Sequence, residues 1–293
     1  MNLMFLRNIA TYALPAIFAL LSSGVNAQGV TSDTILIGQS APLTGPAELL
    51  GKEMKAGAEA YFNFVNQNGG VNGRKIKLIS LDDGYEPDRA KANTKKLIDE
   101  HRVLALFGYV GTPTSNAALP LFTEAKVPFI GVFTGAESLR APLNRYIFNV
   151  RASYLDETEQ IVDSLVNQGL KKIAVFYQND AYGKAGLAGV ERAMKKRGLP
   201  IIATATVERN TTDVAAAVQQ LSKVDPAAVI MISAYKSCGA FITAMKRANA
   251  YPRFWNVSFV GSKALVNELG DESARGLKSL KWCHSPGQRR FRS

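Results

Sequence analysis

From residue 33 onward, short apolar runs rich in β-branched residues alternate with segments of helical period, and the alternation runs through the chain twice. The first round begins with a strand-like run over 34–38. A helix over 48–66 follows, where Leu50, Met54, Ala58, Tyr61 and Val65 recur at three- and four-residue spacing. A dense turn, Asn68-Gly69-Gly70-Val71-Asn72-Gly73, leads into a strand over 75–81. Pro87 then opens a helix over 87–100, a position where its missing N–H costs nothing. Strands over 103–107 and 127–131 flank a helix over 112–124. The second round places helices over 153–167, 182–197, 212–223 and 236–248, with strands over 172–178, 201–207, 227–233 and 254–260.

Strand–helix alternation predicts parallel sheets covered on both faces. Right-handed crossovers turn each round into a doubly wound sheet. The rounds meet near 145–152 with no Gly/Ser-rich linker, so the reading is an α/β chain of two lobes joined by strand-like hinge segments. The length of 293 residues suits two modest domains, and 47% apolar against 20% charged residues excludes long disorder. Two Cys and two His exclude a disulfide-built scaffold and a multi-cysteine zinc site.

The net charge of +11 is unevenly spread. Lys278, Lys281, Arg289, Arg290 and Arg292 fall in the last sixteen residues, which hold no acid, so the charge does not argue for a nucleic-acid partner. Residues 1–27 read as a secretory signal peptide: Arg7 supplies the basic start, 9–21 the apolar stretch, and Val25 and Ala27 the small residues before cleavage at Gln28. No Cys stands near that site, so no lipid anchor is expected.

In sheets of this kind ligands sit beyond the carboxyl ends of the strands. There the chain reads Gly108-Tyr109-Val110-Gly111-Thr112-Pro113-Thr114-Ser115, where the Thr112 and Thr114 hydroxyls either receive a carboxylate at a helix start or only cap that helix. The stretch Gly131-Val132-Phe133-Thr134-Gly135 is a second such place, or an ordinary turn. In the second round Tyr177 to Gly183, Ser233-Ala234-Tyr235 and Gly261-Ser262-Lys263 occupy matching positions. Nucleotide-binding and hydrolase signatures (GxGxxG after the first strand, GxxxxGK[ST], GxSxG) are missing, so binding is favoured over catalysis and no cofactor is expected. Asp82 and Asp83 are neighbours on a strand, so their side chains diverge and cannot act as a catalytic pair.

These residues resemble the periplasmic leucine/isoleucine/valine-binding proteins. Ile37 to Gly45 is similar to their opening strand and loop, Asn68 to Arg74 to the turn after their first helix, and Gly111-Thr112-Pro113-Thr114-Ser115 and Tyr177 to Gly183 to later motifs. The resemblance runs from about Thr34 to Gly276 and implies a type I solute-binding protein. Such a protein closes two lobes over a small-molecule ligand in the periplasm and delivers it to an ABC permease in the inner membrane. It assigns Thr112 to the ligand carboxylate, Phe133 and Thr134 to the head group, and Tyr235 to the cover, with Thr114, Tyr154, Tyr182 and Ser262 beside them. One departure bears on the ligand: the lobe-two loop that supplies an acid for an ammonium reads Gly261-Ser262-Lys263 here. A carboxylate or amide without an ammonium, such as an aromatic acid, is therefore an alternative to a branched-chain amino acid.

The domain reading is a signal peptide over 1–27, lobe one over 28–148, lobe two over 149–276 and a basic tail over 277–293. The resemblance implies a return to lobe one after Gly276. The change of character there is expected to mark a truncation or frameshift that leaves lobe one incomplete, with apolar surface and a sheet edge uncovered.

Overall fold

The computed structural model describes residues 28–270 and 273–279; the expected signal peptide and most of the basic tail lie outside them. Lobe one contains β1 (Thr34–Ala41), β2 (Lys75–Asp82), β3 (Ala105–Phe107), β4 (Phe129–Ile130) and β5 (Ile147–Phe148). They pair in parallel in the order β2-β1-β3-β4-β5. Lobe two contains β6 (Ile173–Gln178), β7 (Ala203–Val207), β8 (Ala228–Ile232), β9 (Arg253–Asn256) and β10 (Lys278–Ser279), also parallel, in the order β10-β9-β8-β6-β7. Taken from the opposite edge, this is the same winding. Each lobe is a doubly wound sheet whose order reverses beside its first strand.

The helices are α1 (Glu48–Gln67), α2 (Pro87–Asp99), α3 (Thr112–Glu124), α4 (Tyr154–Asn167), α5 (Ala181–Lys196), α6 (Ala215–Lys223), α7 (Tyr235–Arg247) and α8 (Ser262–Leu269). Their starts have local causes. The Ser153 hydroxyl accepts from Asp156 N at α4, and the Asp180 carboxylate accepts from Tyr182 N and Gly183 N at α5. α1 and α5 each follow the first strand of a lobe, and each carries a glycine in its first turn. A Cβ on Gly51 would lie 2.0 Å from Pro42 O, and one on Gly183 1.9 Å from Gln178 O, so only glycine lets these helices start so close to the strand they leave.

Several strands are shorter than in the sequence reading, Phe129–Ile130 against 127–131 among them, and two differences bear on the site and the tail. The strand expected over 254–260 stops at Asn256, and Ser258–Val260 forms a single 3-10 turn. The tail expected from 277 begins inside lobe two, because Lys278 and Ser279 pair with Trp255 and Asn256 along the edge of the sheet. Backbone partners made that strand, and composition gave no sign of it.

Two apolar cores result. Leu97, Leu106, Phe122 and Phe129 centre one within lobe one. The other fills lobe two and continues across to Ala47, Leu50, Tyr85, Val110 and Ala136 of lobe one, so the lobes are packed together. Among the described residues no helix is long and apolar enough to cross a membrane.

Candidate functional site

The loops beyond the carboxyl ends of both sheets meet in the cleft between the lobes, which is closed over buried side chains. In lobe one, Thr112 opens α3 behind Gly111, whose φ of 102° is open to glycine and strained for other residues. No side chain caps this helix. The Thr112 and Thr134 hydroxyls are 2.7 Å apart, and Thr134 Oγ1 stands 3.2 Å from the Tyr154 hydroxyl at the start of α4. All three residues are buried, and together they form a row of hydroxyls at an uncapped helix start. Thr114 is placed differently: its hydroxyl donates to Val110 O at 2.5 Å and Gly111 O at 2.9 Å, bracing the loop beneath Thr112.

An aromatic cluster adjoins that row. The Phe259 ring lies 4.5 Å from Tyr182, 5.3 Å from Phe133 and 6.2 Å from Tyr85, and Tyr182 lies 5.5 Å from Tyr154. Burial raises the phenol pKa values of Tyr85, Tyr154 and Tyr182, so all three are neutral hydrogen-bonding groups at physiological pH. Tyr235, the first residue of α7, is buried against Glu48 and Leu49 of lobe one. Ser262 begins α8, half-buried, just past Gly261, which Leu50 of lobe one approaches closely.

Tyr85 and Phe259 were not legible as site residues. Tyr85 sits in the loop after β2 with φ of 68°, an uncommon conformation for an aromatic residue, and nothing in the sequence signals it. Phe259 reads as the end of a strand until the 3-10 turn redirects it.

Several charged groups around the cleft are held by neighbouring residues. Asp82 and Asp83 diverge as expected, and their surroundings push them in opposite directions. Burial opposes ionisation of Asp82, but the Thr44 hydroxyl, the Leu43 and Gly84 N–H groups and Arg89 outweigh it and hold the carboxyl well below its usual range. For Asp83 burial prevails over the Ser40 hydroxyl and the Tyr85 N–H, and the carboxyl is pushed up to about 6. Asp83 thereby pins Tyr85, accepting from its N–H at 2.8 Å. Across the cleft, Arg209 pairs with Asp180, donates to Tyr85 O at 2.9 Å and lies 4.9 Å over the Tyr85 ring. Asn210 donates to Gly84 O at 3.1 Å and Glu86 Oε1 at 2.6 Å. Glu157, its pKa raised by burial, accepts from Ser258 N and Oγ. Arg151 donates to the same hydroxyl and lies 4.1 Å over the Phe133 ring. Among the described residues no three His, Cys, Asp or Glu side chains gather as a metal site.

A family profile described as periplasmic binding protein matches residues 34–292, a span that takes in the basic tail. A crystal structure of a possible leucine/isoleucine/valine-binding protein from Rhodopirellula baltica is 38% identical with a TM-score of 0.77, over 87% of this chain and 69% of that one. An amino acid binding protein of Pseudomonas aeruginosa is 27% identical over 80% of this chain and 63% of its own length. A leucine-, isoleucine-, valine-, threonine- and alanine-binding protein of the same organism is 24% identical over 92% of this chain and 73% of its own. The chain thus spans about two thirds of the length of these relatives.

Proposed function

Because the chain belongs to the periplasmic binding protein family, we propose that it is the exported solute-binding component of an ABC importer, holding a branched-chain or related amino acid between its lobes. The observation that carries this reading is the hydroxyl row of Thr112, Thr134 and Tyr154 set against an aromatic cluster drawn from both lobes. A carboxylate placed on that row meets three hydroxyls and the positive end of α3. Its apolar part then lies among Phe133, Tyr182 and Phe259, with Tyr235 and Ser262 on the lobe-two side and Thr114 bracing the loop. Ligand touches both lobes only when they are closed, so binding draws the hinge shut, and the closed form is what a permease recognises. The role is binding and release without catalysis. Export by residues 1–27 belongs to the same proposal.

One observation favours a second ligand class. Asp83, Asp180 and Glu157 are the carboxylates nearest the cluster, and each is taken by Ser40 and Tyr85, by Arg209, or by Ser258. None of these three is left for an ammonium, which favours a carboxylate or amide lacking one.

Isothermal titration against leucine, isoleucine, valine and their deaminated counterparts tests both readings. One of the two series is expected to bind. Thr112→Val is expected to weaken it by roughly tenfold to a hundredfold, the loss of a hydrogen bond to a charged group. Binding of leucine with no binding of the deaminated acids rejects the second class. No binding in either series rejects the proposed ligand altogether.

A further inference from the structure

We propose that Phe259 determines which side chain the cleft accepts, and that Glu157 is the positioning residue that holds Phe259 in place. This rests on the cleft being the binding site.

Phe259 is fully buried, yet it belongs to no sheet or long helix. It rides on the turn after β9 and carries a lobe-two ring across to Phe133 and Tyr85 of lobe one. Both ends of that turn are fixed. At the near end the Glu157 carboxylate accepts from Ser258 N at 2.8 Å and Ser258 Oγ at 2.6 Å, reaching from α4. Arg151 of the hinge segment donates to the same hydroxyl. At the far end Gly261 has φ of 80° and lies against Leu50 of lobe one. The ring is therefore carried on a turn held at both ends.

Its two nearest aromatic neighbours border the hydroxyl row. Phe133 precedes Thr134, and Tyr182 packs on Tyr154. An apolar group attached to a head group on that row extends into the space the Phe259 ring shares. On this proposal a branched aliphatic chain is accommodated with the Phe259 ring in place. A six-membered ring must displace Phe259 or hold the lobes apart, and either loses the contacts that closure supplies. Truncating Phe259 opens an apolar cavity of the kind that accepts a benzene ring.

The test uses four probes with the full chain: L-leucine, L-phenylalanine, 4-methylpentanoate and 3-phenylpropanoate. The presence or absence of the ammonium reads the proposed function. The aliphatic-to-aromatic affinity ratio reads Phe259. The wild type is expected to favour the aliphatic member of the pair it binds by at least tenfold. Phe259→Ala is expected to reverse that preference, with Phe259→Leu in between should the larger truncation fail to fold. Glu157→Ala is expected to lower the ratio and Glu157→Gln to restore most of it, whereas a merely structural defect weakens all probes together at constant ratio. A ratio in both Phe259 variants equal to that of the wild type overturns the proposal, as does binding of no probe by any variant. A wild type that binds nothing beside a Phe259→Ala that gains an aromatic probe upholds the role of Phe259 and rejects the proposed ligand.

Discussion

The two lobes share one winding but differ in how well their sheets are covered. In lobe two every residue of β8 is buried. Helix α4 packs against α5 beside the sheet, and α7 packs against α6 and α8. In lobe one α2 packs against α3, while the first four residues of the central strand β1 are only half-buried. Helix α1 leaves Tyr61 and Phe64 65% and 61% exposed, and the edge strand β5 leaves Phe148 51% exposed. A parallel sheet depends on cover over both faces, so the same topology gives a well-buried lobe and a partly uncovered one. Lobe one's interior continues into the interface, where Leu50, Tyr85, Val110 and Ala136 join the lobe-two core. Part of its stability is therefore borrowed from closure.

The largest expected difference is in the cores. Phe176 is fully buried and stacks 4.1 Å from Phe241 in lobe two, so Phe176→Ala is expected to cost about 3–5 kcal/mol in urea denaturation. Phe64→Ala on the open side of α1 is expected to stay within about 0.5 kcal/mol. Similar costs at the two positions would end the comparison. Next comes the contact that ties the lobes together. Arg209→Ala leaves Asp180 only its cap and Gln178 bonds and removes the hold on Tyr85, for an expected loss of about 2 kcal/mol and a larger radius of gyration in solution scattering. An unchanged radius would show that closure does not depend on this contact.

The smallest effect is a titration within lobe one. The Asp83 carboxyl is raised from 3.8 to about 6, so the stability it contributes is fully present below about pH 3.8 and is lost as pH rises through about 6. Asp83→Asn is expected to flatten the stability profile between those limits. At pH 7.5 it is expected to gain about 1 kcal/mol, the relieved burial of charge less a weaker bond to Tyr85 N. A profile as steep as that of the wild type would place the titration elsewhere.

Much of the fold was legible. The strand–helix alternation, the absence of a flexible linker and the Gly/Asn-rich turns gave two doubly wound lobes, because hydrophobic period and turn chemistry are local properties. The positions of Thr112, Thr134 and Tyr182 were legible as lying beyond strand ends, since the winding fixes where such stretches lie; Tyr154 came only from the family resemblance. The split between Thr112, facing Thr134, and Thr114, bonded back to its own loop, was not: both are hydroxyls at one helix start, and only the backbone path separates them.

The sequence by itself determined the class of fold, the winding and the loops that border the cleft, since these follow from local pattern and chain handedness. Tertiary structure alone decided that Tyr85 and Phe259 meet across the lobes, that Arg209 and Asn210 hold the loop after β2, and that Asp83, Asp180 and Glu157 are already engaged. The Tyr85–Phe259, Arg209–Tyr85 and Asn210–Gly84 contacts join residues more than a hundred positions apart and exist only once the two lobes have packed on each other, whereas Arg209–Asp180 and Glu157–Ser258 form within lobe two.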